Sequence, residues 1–259
     1  METIQLTPDI TAIRVPFFDI FTTVFLVKTE AGNLLFDTAT YPTDITDIVL
    51  PALAALGVDG AALSAVLISH PHRDHAGGLE ELLARYPDIT VIAGSNAPQK
   101  THTIKNLTVG RNGDTVLEDL QIVAIPGHTT DAIALLDTRT ATLLSGDCLQ
   151  LYGIFGSGLW GANINFPAAH KNAIRKLRKM EIQSILPAHD YHPLGTSYVG
   201  QAAVAAALDA CEAPLDRVLA LLGEQPMQKD EEICARYNEG GNLPTLAPRI
   251  VTAIRRDLF

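Results

Sequence analysis

Residues 69–78 read Ser-His-Pro-His-Arg-Asp-His-Ala-Gly-Gly, and the rest of the chain can be interpreted from this stretch. Within six residues it offers four side chains that can bind a metal: His70, His72, Asp74 and His75. Imidazole and carboxylate groups are ligands of zinc, iron and manganese. Crowding them together without a cation costs solvation and creates repulsion. The stretch therefore indicates a metal site rather than a solvated polar turn.

The flanks of this cluster predict a strand before it and a helix after it. Residues 63–68 are apolar and partly β-branched, which is typical of a buried strand that ends at Ser69. Gly77 and Gly78 lead into residues 79–86, a predicted helix that ends at Pro87. Layered folds usually build their sites where a buried strand ends and a helix begins.

Composition and charge narrow the classes of protein. The chain has 259 residues, of which 47% are hydrophobic and 19% charged, so it can bury a large core. The net charge of −10 argues against a nucleic acid or an anionic membrane as a partner. The sequence has no signal-peptide pattern, no apolar run of membrane-spanning length and only three dispersed cysteines. We expect a soluble cytoplasmic protein with no membrane partner.

Short apolar runs and helical spacing predict the other elements. Strands are expected at residues 11–15, 23–28, 33–36, 89–93, 107–109, 115–117, 121–125, 133–137, 142–144 and 184–186. Helices are expected at residues 43–56 and 168–180, and residues 16–21 and 150–166 are expected to be loops. Residues 197–259 are expected to be helical, with breaks near Pro214, Pro226 and Gly240. This predicts one domain, 1–259, with a core of about 1–195 and a helical extension of about 196–259.

A histidine or aspartate follows a predicted strand at four places. The cluster at 70–75 is the first, His128 lies in a Pro-Gly-His turn, Asp147 follows Ser-Gly, and His189 follows Pro-Ala. If these strands lie side by side, the side chains converge at one edge. Seven ligands exceed the needs of one tetrahedral ion but suit two ions roughly 3.5–4 Å apart. Asp147 is the natural bridge, because a carboxylate has two oxygens.

These motifs, in this order, resemble the metallo-β-lactamase superfamily over about residues 10–195. The resemblance implies an α/β (α+β) fold, a four-layer αββα sandwich, here with a helical C-terminal extension. It implies that His70, His72 and His128 hold one metal, that Asp74, His75 and His189 hold the other, and that Asp147 bridges them. Asp37 matches the family's aspartate that orients a metal-binding side chain without binding the metal itself.

The chemistry implied by the resemblance is hydrolysis. Two divalent ions, with Zn expected and Fe or Mn open, lower the pKa of a bridging water toward about 7, so that hydroxide is the nucleophile. Asp74 and Asp147 are the predicted catalytic residues. Cys148 is expected to be a buried structural thiol.

Within the family, glyoxalase II-like thioesterases and acyl-homoserine-lactone lactonases carry the complete ligand set. The lactonases place a tyrosine three residues after the bridging aspartate, where this chain has Gln150 and the nearest tyrosine is Tyr152. We expect hydrolysis of a small, partly apolar ester, lactone or thioester. The alternatives are a mononuclear iron dioxygenase of the persulfide type and a non-catalytic metal-binding protein.

Substrate shape is expected to depend on the two predicted loops. The pocket candidates, each of which could instead be a core residue, are Phe17, Phe18, Phe21, Tyr152, Phe155, Trp160 and His192. His170 and His192 are expected to have capping or surface roles, although His192 could donate a proton. The partner is expected to be a small molecule, and the oligomeric state is open, a homodimer included.

Overall fold

Two sheets and the helices that cover them account for most of the chain. The computed structural model describes residues 2–18, 20–95, 104–149, 153–155, 158–160, 164–189, 197–240 and 245–259, with backbone alone at 153–155 and 158–160.

The first sheet has seven strands that lie in chain order. They are β1 (Glu2–Gln5), β2 (Ile10–Phe17), β3 (Ile20–Thr29), β4 (Gly32–Phe36), β5 (Leu63–Ile68), β6 (Thr90–Ala93) and β7 (Leu107–Val109). Strands β1 to β4 pair antiparallel, and β4 to β7 pair parallel. Since β4 and β5 are parallel neighbours, their carboxyl ends meet at one edge of the sheet.

The second sheet has six strands, and a separate hairpin precedes its last two. In chain order the strands are β8 (Thr115–Val116), β9 (Leu120–Ala124), β10 (Ile133–Asp137), β11 (Thr142–Gly146), the hairpin pair β12 (Gly153–Phe155) and β13 (Gly158–Trp160), then β14 (Ser184–Pro187) and β15 (Tyr198–Val199). The order across the sheet is β15-β14-β11-β10-β9-β8, with β11 and β14 parallel.

Helices lie outside the sheets. They are α1 (Pro42–Asp44), a π-helical turn (Ile45–Val49), α2 (Leu50–Ala55), a 3-10 turn (Gly60–Ala62), α3 (Arg73–Ala76), α4 (Leu79–Arg85), α5 (Pro167–Leu177), α6 (Gln201–Glu224), α7 (Asp230–Glu239) and α8 (Pro248–Leu258).

The alternation of side chains along the strands defines four layers. On β3, Val24 and Leu26 pack with Leu53 of α2, whereas Phe25 and Val27 pack with residues of the second sheet. The outer face of the second sheet packs against α5 and α6. The order helix, sheet, sheet, helix confirms the predicted αββα sandwich.

The C-terminal helices have a core of their own. Buried residues of α6, α7 and α8 form one apolar cluster, which also includes Ile164 from the chain before α5. The helical C-terminal region is therefore confirmed, whereas the division into one domain with a core to about 195 stays a prediction. Among the residues described, no helix has both the length and the apolar character needed to cross a membrane.

The structure corrects three local predictions. Residues 16–21 are not a loop, because Pro16 pairs with Phe21 and Phe17 with Ile20 at the end of the β2–β3 hairpin. Residues 150–166, also predicted as a loop, contain the β12–β13 hairpin. Pro214 does not break the chain's helix, since it lies buried inside α6.

The two sheets are tied together where the cluster begins. The backbone N–H of Ile133, the first residue of β10, donates to the carbonyl oxygen of Ser69 at 2.9 Å. Ser69 directly follows β5, so this bond joins the end of β5 in the first sheet to β10 in the second. Side chains presented after β5 and after the second sheet's strands therefore face the same space.

Candidate metal centre

The seven predicted ligands come from four strand ends and meet at one edge of the sandwich. His70 and His72 follow β5, and Asp74 and His75 lie on the single turn α3. The other three belong to the second sheet: His128 lies between β9 and β10, Asp147 follows β11, and His189 follows β14. Six of the seven are buried, and His72 is half-buried.

These side chains form two groups that share Asp147. The first group is His70, His72, His128 and Asp147, and the second group is Asp74, His75, Asp147 and His189. In each group the ligand atoms all lie within 4.8 Å of one another. Two four-residue groups with one common carboxylate form a candidate dinuclear His/Asp site.

The two oxygens of Asp147 face different groups. Its Oδ2 lies 3.6 Å from Nε2 of His128 and 3.9 Å from Nε2 of His70. Its Oδ1 lies 3.2 Å from Nε2 of His75 and 3.2 Å from Nε2 of His189. One carboxylate thus presents an oxygen to each half of the centre.

The histidines are oriented by hydrogen bonds at their outer nitrogens. Nδ1 of His75 lies 2.8 Å from Oδ2 of Asp37, and Nδ1 of His189 lies 2.7 Å from the carbonyl oxygen of Phe21. Since carboxylate and carbonyl oxygens only accept, both rings carry a proton on Nδ1 and turn Nε2 inward.

Ser69 orients the His70 ring in the same way. Its hydroxyl donates to Oδ2 of Asp37 at 2.9 Å and lies 3.0 Å from Nδ1 of His70. A hydroxyl has one proton, so the serine oxygen accepts from Nδ1 of His70. The tautomer that results leaves a lone pair on Nε2 of His70, which is the atom that faces Asp147.

Asp37 is the common anchor behind both groups. It follows β4 in a left-handed conformation, with φ of 65°, which few residues other than glycine adopt. Its carboxylate accepts from the backbone N–H of Ser69 at 2.7 Å as well as from the serine hydroxyl. Complete burial raises the pKa of this carboxyl, although His75 and Ser69 oppose the shift. A strained backbone and a desolvated carboxyl at one position indicate a functional constraint.

The aspartates and histidines of the centre shift one another's pKa values. Burial opposes ionisation of Asp74 and Asp147, but His75 and His189 outweigh it and lower the pKa of both carboxyls. Burial also disfavours charged histidine, but the aspartates raise the pKa of His75 well above its ordinary value and that of His189 to about 9. Burial and His75 hold the pKa of His70 well below its ordinary range.

The donor set fits divalent metal ions. Nε2 of His70 is buried and has no hydrogen-bond partner among the described residues, which is costly for a polar atom unless a cation takes it. Nε2 of His128 and Nδ1 of His72 lie only 2.8 Å apart, so the two lone pairs need a shared proton or a metal between them. Imidazole nitrogen and carboxylate oxygen suit Zn, Fe and Mn alike.

The structure describes three of the predicted pocket residues, and the side chains of the other four lie outside the described part of the chain. The Phe17 ring lies 6.0 Å from the His189 ring, and Phe18 meets Phe17 edge-on at 5.0 Å. Phe18 is 73% exposed, so it is not a core residue. Phe21 lies under the guanidinium of Arg14 at 4.4 Å. Tyr152, His192 and the side chains of Phe155 and Trp160 lie outside the described residues.

His170 differs from its predicted place, and the role of Ser69 was not predicted. His170 is buried rather than at the surface, and its Nε2 lies 3.2 Å from the carbonyl oxygen of Cys211. Ser69 was overlooked, although its place between a buried strand and the first histidine was a usable signal. Cys148 is buried as expected, and burial raises the pKa of its thiol well above the ordinary value.

Residues 18–189 match the family model of the metallo-beta-lactamase superfamily. The chain belongs to this superfamily. The matched range runs from the β2–β3 hairpin to His189 and so includes all seven predicted ligands.

Curated relatives in the superfamily share part of the chain. A hydroxyacylglutathione hydrolase of Xanthomonas axonopodis pv. citri (strain 306) is 40% identical over 107 residues, which cover 40% of this chain and 39% of that protein. One from Thermosynechococcus vestitus (strain NIES-2133 / IAM M-273 / BP-1) is 31% identical over 153 residues, 57% of this chain and 58% of that protein. The chain thus spans about half the length of the curated relatives it matches.

Solved structures of the superfamily share the fold. A B3 metallo-beta-lactamase with an active-site glutamic acid has a TM-score of 0.64 at 18% identity. The match covers 85% of this chain and 91% of that one. At this identity the likeness concerns the fold alone.

Proposed function

We propose that this chain is a dinuclear metal-dependent hydrolase of a small ester, lactone or thioester. The observation that carries the proposal is the shared carboxylate: Asp147 directs Oδ2 toward the first group and Oδ1 toward the second. A site for one metal would not need the second group of Asp74, His75 and His189 around the other oxygen.

The chain's own residues would hold the ions as follows. His70, His72 and His128 would supply nitrogen donors to one ion, and Asp74, His75 and His189 would supply donors to the other. Asp74 and Asp147 offset the positive charge, which a buried site requires. Two ions in these groups would lower the pKa of a bound water toward about 7 and polarise the substrate's carbonyl oxygen. No separate serine or cysteine nucleophile is needed, and the raised pKa of Cys148 argues against its use.

The substrate class is inferred from the wall of the site and from the relatives. Phe17 lies next to His189, and the exposed Phe18 extends this apolar wall outward. Such a wall suits a small substrate with an apolar acyl group. Because the matched relatives are hydroxyacylglutathione hydrolases, a thioester is the first substrate to test.

The test combines metal analysis with an activity panel. Protein purified without chelator should contain close to two metal ions per chain, and it should hydrolyse a thioester, a lactone or an ester. A chelator should abolish the activity, and added zinc should restore it. One iron per chain together with oxygen consumption would instead support the dioxygenase alternative. Tight metal binding without turnover of any substrate would support a binding protein.

A further inference from the structure

A short segment, residues 164–166, lies between the His128 loop and the C-terminal helices. The carbonyl oxygen of Gly127 accepts from the backbone N–H groups of Asn165 and Phe166, each at 2.9 Å. The side-chain amide of Asn165 donates to the carbonyl oxygen of His128 at 2.9 Å. Three hydrogen bonds from this segment therefore hold the two peptide units on either side of a candidate metal ligand.

The other side of the same segment is held by the C-terminal helices. Nη1 of Arg249, on α8, donates to Oδ1 of Asn165 at 2.5 Å. Ile164 is buried in the apolar cluster of α6, α7 and α8. One asparagine side chain thus uses its oxygen toward α8 and its nitrogen toward the His128 loop.

Arg249 is itself placed by contacts among the C-terminal helices. Leu246, just before α8, donates its N–H to Oδ1 of Asn238 at 2.8 Å and accepts from Nδ2 of Asn238 at 2.9 Å. At the other end of α8, Arg255 donates to Asp230 at 2.7 Å. Helix α8 is therefore fixed to α7, and the orientation of Asn165 depends on this pair of helices.

The outer nitrogens of the second group's histidines are held by a different part of the chain. These histidines are oriented from the first sheet, His75 by Asp37 and His189 by the carbonyl oxygen of Phe21. Loss of the hydrogen bonds made by Asn165 should therefore weaken the first group more than the second.

We propose that Asn165 and Arg249 are positioning residues through which the C-terminal helices set the His128 ligand of the first group. This inference rests on the proposed function, since it takes His128 to be a metal ligand. Hydrogen bonds that orient a ligand's ring are typically worth about 10–100-fold in metal binding, and bonds to the backbone that carries the ring set its position in the same way.

Zinc dissociation constants, measured by competition with a chromophoric chelator, separate the two groups. In a His189→Ala background, binding reports on the first group, and in a His72→Ala background it reports on the second. Asn165→Asp keeps the shape of the side chain and the oxygen that faces Arg249, but it removes the donor to His128. Arg249→Met removes the donor to Asn165, and Arg256→Met is the matched control on the same helix, where the guanidinium pairs with Asp257.

Asn165→Asp should raise the zinc dissociation constant about 10–100-fold in the His189→Ala background and less than about threefold in the His72→Ala background. Arg249→Met should act in the same direction but less strongly, and Arg256→Met should have no effect. Equal weakening in both backgrounds, or none in either, would overturn the inference. If the unmutated protein bound neither zinc, iron nor manganese, the proposed function itself would fail, so the two failures are distinguishable.

Discussion

The carboxylate of Asp37 lies 2.8 Å from Nδ1 of His75, and this pair joins the end of β4 to the ligand-bearing turn α3. The same carboxylate accepts both polar hydrogens of Ser69, which in turn orients His70. One buried aspartate therefore orients a histidine in each group without facing either metal position.

Replacing Asp37 tests this role. Asp37→Ala would leave Ser69 and His75 with buried donors that lack an acceptor, so we expect a loss of about 3–5 kcal/mol in unfolding free energy. Zinc affinity should fall about 10–100-fold. Asp37→Asn keeps the shape and one acceptor, and it should cost less, about 1–3 kcal/mol. Urea denaturation and a zinc competition titration measure both effects, and an unchanged affinity in Asp37→Ala would contradict the assignment.

Asp147 is expected to be indispensable, in contrast to its neighbour. Asp147→Ala removes the oxygens that face both groups, so hydrolysis should fall at least about a hundredfold and less than two metals should bind. Cys148→Ala is the matched control, because this thiol is buried and the raised pKa keeps it protonated. It should lower stability by about 1 kcal/mol and leave the activity nearly unchanged. Elemental analysis and a thioesterase assay compare the two, and similar losses in both variants would refute the proposal.

Gly146, the last residue of β11, allows the chain to turn before Asp147. Its φ is 53°, and a Cβ there would come within 2.7 Å of the Ser69 hydroxyl. Gly113 is a matched control, because its φ is 91° and a Cβ there would have no atom within 4 Å. Both alanine variants should lose about 1–2 kcal/mol for the left-handed backbone, and Gly146→Ala should lose more and bind zinc more weakly. Thermal unfolding and a zinc titration decide, and equal behaviour of the two variants would exclude crowding at Ser69.

His170 predicts a pH dependence of stability. Burial lowers its pKa to about 4, so the folded protein keeps it neutral where the unfolded chain, with an ordinary value of 6.5, takes up a proton. Its contribution is complete above about pH 6.5 and is lost as the pH falls toward 4, in total roughly 3 kcal/mol. His170→Gln keeps a donor for the Cys211 carbonyl and should flatten this part of the profile. Denaturation at pH 7 and pH 4.5 in the presence of chelator measures it, and parallel profiles would show that His170 has no such role.

Much of the fold could be predicted because apolar runs and the residues that end them are local signals in the sequence. The strand at 63–68, the helix after Gly78 and the order of the ligands at strand ends followed from apolar runs and the residues that end them. The β2–β3 hairpin was missed because its turn has no glycine or asparagine at the left-handed position. Phe18 takes that place with φ of 51°, and the aromatic run looked like a loop.

Other features depend on contacts that no local pattern contains. Pro214 stays in α6 because the helix buries Cys211, Leu215 and Val218 around it, which outweighs the roughly 3 kcal/mol that an interior proline costs. Asn165 lies 37 residues from His128 and 84 from Arg249, so only the folded chain brings the three together. Ser69 is the intermediate case. Its position before the first histidine is visible in the sequence, but its hydrogen bond to Asp37 is visible only in the folded chain.

Each metal group takes two ligands from the first sheet and two from the second. A chain in which only one sheet has folded therefore offers an ion at most two of the four ligands of either group, however well that sheet is formed. The chain would then bind metal only after the two sheets pack together, and a bound ion would link one sheet to the other. Metal binding would come late in folding, and a chelator would weaken the packing between the two sheets before either sheet unfolded.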